Sequence, residues 1–336
     1  MPDLPENQAD SSHAFDPLVQ TENIAFKPDE LNACAACGRM NAPTRLKCLY
    51  CAAALEVKTE FAASMKPVLR KLESWERGFN VIVHEHSGQT EIAKVAAYLS
   101  AEPDDVRALL DAGSPLPLAR VESEAETKVL IEGLNNFGLR CAVVGDAELD
   151  ADKLPVRLSG IEFGENGIVV VDFNTRDTTS ISDLALIIPG IITSSKVDSL
   201  EKKLRGGKTK LLEETASASD ESVLDIYSGR DPVGFRVQLA GFDFSCLGED
   251  KGLLAVENMR RLVTALKEHA PNARLVSDYA KVRHALGRIW EVEARKDTQG
   301  LQRAGFGKVE FGSVASTSNL RQFTKYSRLQ WQILKG

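Results

Sequence analysis

Hydrophobic and polar positions follow two periods along the chain, and the changes between them predict its elements. From residue 79 to residue 146 the pattern switches between alternation, typical of strands, and a period of about 3.6, typical of helices. The predicted strands are 79–85, 116–121 and 139–144, and the predicted helices are 90–99, 103–112 and 123–137. Pro103 suits a first helical turn, and Gly113 and Gly138 end the helices before them. The pattern therefore predicts a β-α-α-β-α-β module.

From residue 155 to residue 275 the pattern becomes rich in strands. The Gly-Glu-Asn-Gly sequence at 164–167 lies between two β-rich runs, which is typical of a hairpin turn. Further strand-like runs are LALIIPGIITSS, VLDIYS and FRVQLAGFDFSCL, and an amphipathic helix over 253–269 follows them. These runs predict an antiparallel β-rich module ended by one helix.

The C-terminal region predicts a helix over 277–294, then a Gly/Ser-rich stretch, then the segment NLRQFTKYSRLQWQIL. That last segment interleaves aromatic residues with basic ones, which are Arg321, Lys325 and Arg328. Such a mixture can bind single-stranded nucleic acid or anionic lipid, or it can lie across a hydrophobic groove of the body. We favour docking on the body, because Leu329 and Trp331 are costly to leave in water.

The distribution of charge adds a distinction between the two ends of the chain. The 336 residues carry a net charge of −7, yet residues 1–30 hold seven acidic residues against one basic, and residues 276–336 hold eleven basic against five acidic. The acidic head is poor in apolar residues and is expected to be disordered. The longest apolar run, 184–192, is too short to cross a membrane, and no secretion signal is recognisable. We expect a soluble, cytoplasmic protein.

The cysteines supply the clearest chemical signal. Four of the six follow the pattern C-x2-C-x10-C-x2-C, and they are Cys34, Cys37, Cys48 and Cys51. Two C-x-x-C turns direct four thiolates at one point, which predicts one tetrahedral Zn²⁺. A redox dithiol needs only one such pair, and an intracellular setting disfavours disulfides. Four thiolates leave no coordination position for water, so the site is expected to be structural, with metal binding and folding as one event.

The segment around these cysteines resembles the short zinc ribbon common at the ends of bacterial proteins, and more distantly the Ran-binding-protein type of zinc finger. The resemblance covers about 25 residues. Asn32 stands where the latter type has Trp, and Gly38-Arg39 replaces the pair used by ubiquitin-binding members, so neither ubiquitin nor stacked-RNA recognition is carried over. Arg39, Arg45 and Lys47 could contact phosphate, but their better role is to offset the 2− charge of a zinc tetrathiolate.

Two further resemblances concern the fold. The segment LPLARVESEAETKVLIEGLNNFGLRCAVV and the order of elements resemble the C-terminal domain of the ribosomal stalk protein and the adaptor of the Clp protease. The lysine-rich face of stalk proteins is reduced here to Lys94 and Arg107, so only the fold is implied. The β-rich module weakly resembles a pleckstrin-homology-like barrel plugged by a helix.

Several other patterns do not indicate an active site. His84 and His86 share one face of a strand without a third ligand, and the GGKTK run at 206–210 lacks the first glycine of a phosphate-binding loop. Cys141 and Cys246 are interpreted as buried structural thiols. An enzyme would require a perturbed acid or base in a deep pocket that the sequence does not disclose.

The sequence as a whole predicts a multidomain α+β protein. We expect an acidic head (1–30), a zinc ribbon (31–57), a helical connector (58–78), a βααβαβ sandwich (79–146), a β-barrel-like module capped by a helix (155–275) and a basic helix and tail (276–336). This combination resembles multidomain bacterial proteins with an N-terminal zinc ribbon. The expected function is that of a non-catalytic protein-binding scaffold or regulatory adaptor, and the alternative is a nucleic-acid- or ribosome-associated factor.

Overall fold

The chain divides into two compact units. The computed structural model describes residues 26–57, 59–62, 65, 69–73, 75–86, 88, 90–164, 167–203, 209–229, 233–305 and 308–335. The first unit is Met1–Glu56, and the second, called the body below, is Val57–Gly336. Residues 1–25 of the predicted acidic head, several residues of the predicted connector and residues 206–208 of the GGKTK run lie outside the described residues.

The first unit is a small ribbon with little regular structure. Its strands are β1 (Asn32–Ala33) and β2 (Met40–Asn41), which pair antiparallel. Its hydrophobic cluster contains Cys34, Cys48 and Leu55 as buried members. A cluster of this size buries too little apolar surface to hold a fold by itself.

The body begins with the predicted α/β pattern. Its elements are α1 (Thr59–Ala62), β3 (Phe79–His86), α2 (Ile92–Tyr98), α3 (Pro103–Leu110), β4 (Leu116–Val121), α4 (Glu124–Asn135), β5 (Leu139–Gly145) and α5 (Asp146–Leu149). Pro103 is the first residue of α3, and Ser123 caps α4 in a capping box with Glu126. The strands form an antiparallel sheet in the order β4-β3-β5. The predicted βααβαβ order is confirmed.

The rest of the body is built on one large sheet. Its elements are β6 (Val156–Gly164), β7 (Gly167–Asp172), β8 (Thr178–Ile181), β9 (Leu184–Lys203), β10 (Thr209–Ser228), β11 (Phe235–Gln238), a 3₁₀ helix (Phe244–Asp250), α6 (Ala255–His269), β12 (Arg274–Leu275), α7 (Tyr279–Leu286), β13 (Glu293–Gly305), β14 (Lys308–Ser318) and α8 (Leu320–Lys335). The strands lie in the order β13-β14-β9-β10-β11-β6-β7-β8, and β12 pairs with β9. The predicted hairpin at 164–167 is confirmed by the antiparallel pairing of β6 and β7.

This sheet corrects the prediction of a β-barrel-like module. Among the described strands, β13 and β8 end the sheet and do not pair with each other, so no barrel is closed. Strands β9 and β10 are each 20 residues long and pair with each other antiparallel through most of that length. The predicted amphipathic helix does cover the sheet, since α6 packs Met259, Leu262 and Leu266 into its hydrophobic core.

The C-terminal region also differs from its prediction. The helix expected over 277–294 is α7, which ends at Leu286, and the Gly/Ser-rich stretch forms the β13–β14 hairpin. Small and β-branched residues of β14 pair with β9 along Glu310–Ser318. The backbone of β9, which is distant in sequence, therefore supplies the hydrogen-bond partners of β14. A Ser-rich composition alone does not reveal this pairing.

The final helix is part of the core. Ten consecutive residues of α8, from Gln322 to Trp331, are buried. Phe323, Tyr326 and Trp331 share one hydrophobic cluster with residues of β3, α4 and β9. The docked interpretation of the C-terminal segment is therefore confirmed.

Candidate metal centre

The four predicted cysteines lie on two turns that repeat the same backbone geometry. In the first turn, Gly38 N–H donates to the Cys34 carbonyl at 2.7 Å and Cys34 N–H donates to the Arg39 carbonyl at 2.9 Å. In the second, Ala52 N–H donates to the Cys48 carbonyl at 3.0 Å and Cys48 N–H donates to the Ala53 carbonyl at 2.8 Å. Each turn thus presents both of its thiols on the same side of the backbone.

The residue after each C-x-x-C pair adopts the left-handed conformation. Gly38 has φ +69° and Ala52 has φ +58°. Glycine takes this conformation freely, whereas alanine pays a steric cost through its Cβ. The second turn therefore holds a strained residue where the first holds a relaxed one.

The four thiols converge on one point. Their sulfurs all lie within 4.8 Å of one another, with 3.6 Å between the Cys34 and Cys51 sulfurs and 3.7 Å between the Cys37 and Cys48 sulfurs. Four sulfurs placed tetrahedrally at about 2.3 Å from one Zn²⁺ lie about 3.8 Å apart. The separations fit a tetrathiolate metal site and are far longer than a disulfide bond. Within the described residues, this is the group of side chains arranged to hold a metal ion.

The side chain of Asn41 links the two turns through hydrogen bonds. Its Nδ2 donates to the Arg39 carbonyl at 2.9 Å and to the Cys48 sulfur at 3.4 Å, while its Oδ1 accepts from Leu49 N–H at 2.9 Å. Asn41 is buried, so these bonds are shielded from water. The spacing of the cysteines did not indicate this second layer of contacts around the sulfurs.

The electrostatics of the cluster favour a cation at its centre. Burial opposes ionisation of Cys48, but hydrogen bonds from the backbone of Tyr50 and Cys51 and from Asn41 lower the pKa of its thiol to about 6. A backbone bond from Ala53 favours ionisation of Cys51, but the neighbouring thiols of Cys37 and Cys34 raise its pKa to about 12. Four adjacent thiols cannot all lose their protons without a compensating positive charge.

The surface around the cysteines combines apolar and basic side chains. Met40, Leu49 and Tyr50 are 46%, 63% and 54% exposed. The guanidinium of Arg39 lies over the Tyr50 ring, 4.6 Å from its centre, which is a cation–π contact. Arg45 and Lys47 are exposed near the same turns.

The basic residues predicted in the C-terminal tail are used inside the body. Arg321 pairs with Asp152 at 2.7 Å, Lys325 pairs with Asp146 at 3.1 Å, and Arg328 donates to the Lys153 carbonyl at 2.9 Å. Lys325 and Arg328 are themselves buried. These cations compensate the body's own acidic and carbonyl groups.

A buried polar network is the feature that the sequence did not indicate. The Asp146 carboxylate accepts from Arg120 Nε at 2.7 Å and from Asn80 Nδ2 at 3.1 Å, in addition to pairing with Lys325. Asn80 Oδ1 in turn accepts from Trp290 Nε1 at 2.7 Å. A second buried pair joins the Arg236 guanidinium to Asp225 through two bonds. Buried charges of this kind need such partners.

The other histidines and cysteines considered in the sequence analysis are not members of the thiol cluster. His84 and His86 are exposed on β3, and the metal grouping found among the described residues includes neither. Burial raises the pKa of the Cys141 thiol to about 11 and also raises that of Cys246. Raised pKa values make these thiols poor nucleophiles.

No protein-family model, curated protein or solved structure matches the chain. The resemblances found in the sequence therefore stay predictions. In the described part, none of the helices combines the length and apolarity needed to span a membrane.

Proposed function

We propose that the chain is a non-catalytic interaction protein, a scaffold or regulatory adaptor, whose ribbon is held by one structural Zn²⁺. The observation that supports this most directly is the convergence of Cys34, Cys37, Cys48 and Cys51, with all four sulfurs within 4.8 Å. Bound there, the ion would supply a fixed tetrahedral link between the two turns. Four thiolates fill its coordination shell, so the role would be structural.

The exposed side chains of the ribbon support a protein partner. Leu49 and Tyr50 lie between Cys48 and Cys51, so the metal would fix the position of both. Together with Met40 they present apolar surface that a unit of this size cannot bury internally. Exposed apolar groups of this kind mark interaction sites more often than isolated exposed residues do.

The second candidate is a nucleic-acid- or ribosome-associated function. It is supported by the contact of Arg39 with the Tyr50 ring, because an aromatic side chain beside a guanidinium can stack on an unpaired base. Arg321, Lys325 and Arg328 of α8 do not support it, since they are bound within the body. On the ribbon, a nucleic-acid contact would involve Arg39, Arg45 and Lys47, which were the candidates in the sequence.

Affinity purification from the native host tests the leading proposal. We expect specific protein partners with the wild type and their loss in both Cys34→Ser/Cys48→Ser and Leu49→Ala/Tyr50→Ala, of which the second keeps all four ligands. Leu253→Ala/Leu254→Ala is the matched control, because these residues of the body are 103% and 72% exposed. Capture of the same partners by all variants would remove the ribbon as the recognition surface.

Fluorescence anisotropy with single-stranded RNA distinguishes the second candidate. Binding that weakens as salt rises and is reduced in Arg39→Ala and Tyr50→Ala would replace the leading proposal. Absence of binding, or binding that is unchanged in both variants, would exclude the ribbon as a nucleic-acid site.

A further inference from the structure

The large sheet carries an extension of four strands, which we call the arm. It consists of residues 193–203 of β9, 209–222 of β10, 293–305 of β13 and 308–318 of β14. Strand β10 pairs with β9 along its length, but it pairs with β11 only over Val223–Ile226. Strand β13 pairs with β14 alone among the described strands. The arm therefore has two edges, residues 209–222 on one side and β13 on the other.

Charged residues and β-bulges, which often protect a sheet edge, occur on the arm, but each edge keeps an exposed run that no bulge interrupts. Residues 214–220 and 294–298 are exposed, and neither edge contains proline. No further described strand pairs with the outer side of either edge. Long edges with unpaired N–H and C=O groups are templates for a further strand.

The charges on the two edges are opposite. Adjacent acidic residues, Asp220 and Glu221, lie on the β10 edge, and adjacent basic residues, Arg295 and Lys296, lie on the β13 edge. Within the described residues none of these four charged side chains forms an ion pair. Asp220 accepts one hydrogen bond, from Thr193 Oγ1 at 2.6 Å, and one of the two carboxylate oxygens of Glu221 is buried without a hydrogen-bond partner. Each edge thus carries charge that has no ion partner in the described part of its own chain.

The strand directions allow the two edges to pair with each other. Each step from β13 to β14, from β14 to β9 and from β9 to β10 is antiparallel, so β13 and β10 run in opposite directions. A second copy placed beside the first therefore brings its β13 antiparallel to β10. The register that sets Arg295 opposite Glu221 also sets Lys296 opposite Asp220. Directly opposite residues share a face, so both contacts are cross-strand ion pairs.

We propose that the chain associates with further copies of itself through the arm, with β10 of one copy adding to β13 of the next. Pairing two β10 edges would place acidic residues together, and pairing two β13 edges would place basic residues together. Only the mixed pairing is complementary. Because it joins two different surfaces, the association is head to tail and continues beyond a dimer.

Sedimentation velocity over a range of micromolar concentrations tests this assembly. We expect the full-length wild type to form dimers and larger species as concentration rises, more readily at low salt than at high salt. Asp220→Lys/Glu221→Arg makes both edges basic, and Arg295→Glu/Lys296→Glu makes both edges acidic. Each variant alone should associate about tenfold more weakly, because attraction across the edge becomes repulsion.

Mixing the two variants provides the most direct test of the pairing. Each basic edge then meets an acidic edge on the other variant, so the mixture should recover the association that each variant lost. The control Arg140→Glu/Arg260→Glu reverses two exposed charges away from both edges and should assemble like the wild type. Unchanged thermal unfolding of all variants shows that they fold.

Three results would overturn the proposal. A wild type that stays monomeric at every concentration would mean that the edge charges protect the arm from association. Association that stops at a dimer would indicate a symmetric interface elsewhere. Association that neither variant weakens, or that mixing does not restore, would exclude the pairing of β10 with β13.

Discussion

The ribbon and the body keep their folds by different means. The ribbon's hydrophobic cluster has Cys34, Cys48 and Leu55 as its buried members, and two of these are candidate metal ligands. The body has two large hydrophobic clusters, one around α8 and one beneath α6. Under the proposed function, a metal tetrathiolate would replace a hydrophobic core in a segment that is too short to build one.

The two units also treat buried polar groups differently. In the body, Asp146 and Asp225 are each compensated by cationic side chains of the same chain. In the ribbon, the four thiols have each other as neighbours, which opposes their ionisation. These two carboxylates therefore have their counter-charges within the body, whereas a cation at the four thiols would have to come from solution.

Removal of the metal should produce the largest change. Chelation, or Cys34→Ser/Cys48→Ser, should unfold the ribbon, because structural zinc contributes about 10–16 kcal/mol of folding free energy in such modules. The amide resonances of residues 32–55 should collapse to the chemical shifts of an unfolded chain.

The body supplies the control for that experiment. All three tryptophans lie after residue 57, and Trp290 and Trp331 are buried there. Their fluorescence should still report a cooperative thermal transition after chelation, because neither core of the body contains a candidate metal ligand. A ribbon that keeps its dispersed amide spectrum without metal would contradict the comparison.

Truncation of a core residue in α8 should produce the next largest change. Trp331 is 2% exposed and stacks on Tyr227 with 5.2 Å between ring centres. Trp331→Ala should lower the free energy of unfolding of the body by about 3–5 kcal/mol, measured by urea denaturation. Leu334→Ala on the exposed part of the same helix should cost less than about 1 kcal/mol. Equal effects would mean that the helix is not embedded in the core.

Neutralisation of Asp146 should have a somewhat smaller effect. Burial raises the pKa of this carboxyl, but the charges of Lys325 and Arg120 lower it by more, so its pKa lies below the ordinary value. Asp146→Asn leaves both cations buried without their counter-charge, and should cost about 3 kcal/mol near pH 7.

The pH dependence of that cost follows from the lowered pKa. Ionised Asp146 stabilises the fold fully above the unfolded pKa of about 3.9, and this stabilisation is lost as pH falls through the lower folded value. The difference between wild type and Asp146→Asn in urea titrations should therefore shrink toward acid. If the difference in unfolding free energy between the two proteins did not depend on pH, the charge of the carboxylate would not be the source of its stabilising effect.

Substitutions after the two cysteine pairs should have the smallest effects, with opposite signs. Gly38→Ala introduces a Cβ at φ +69°, whereas Ala52→Gly removes one at φ +58°. Space is not limiting at Gly38, since no atom would lie within 4 Å of the added Cβ. We expect the free energy of zinc binding to change by about 1 kcal/mol in each case. In chelator competition, Gly38→Ala should bind zinc about fivefold more weakly and Ala52→Gly about fivefold more tightly than the wild type. Changes of the same sign would contradict the strain assigned to Ala52.

The ribbon and the α/β elements could be predicted because their signals are local. The cysteine spacing defines two turns within 18 residues. Pro103, Ser123 and Gly138 lie at helix ends in the structure, as their residue types predict. Hydrophobic periodicity was sufficient for β3 and α4. In these regions each element is determined by its own residues.

The rest of the fold depends on contacts that a single sequence does not display. Strand β14 lies in the segment described from the sequence only as Gly/Ser-rich, and its pairing with β9, more than 100 residues away, makes it a strand. Docking of the segment that contains Lys325 was predicted, but its partner, Asp146 on α5, was not. Charge complementarity between distant segments cannot be inferred from composition, because it depends on where the sheet order places them.

X-ray absorption at the zinc edge of the purified protein, combined with elemental analysis, tests the central claim most directly. The account predicts one zinc per chain, bound by four sulfur atoms at about 2.3 Å with no oxygen or nitrogen ligand. Less than about one equivalent of metal, or a shell that includes a nitrogen or oxygen neighbour, would contradict a closed tetrathiolate formed by Cys34, Cys37, Cys48 and Cys51.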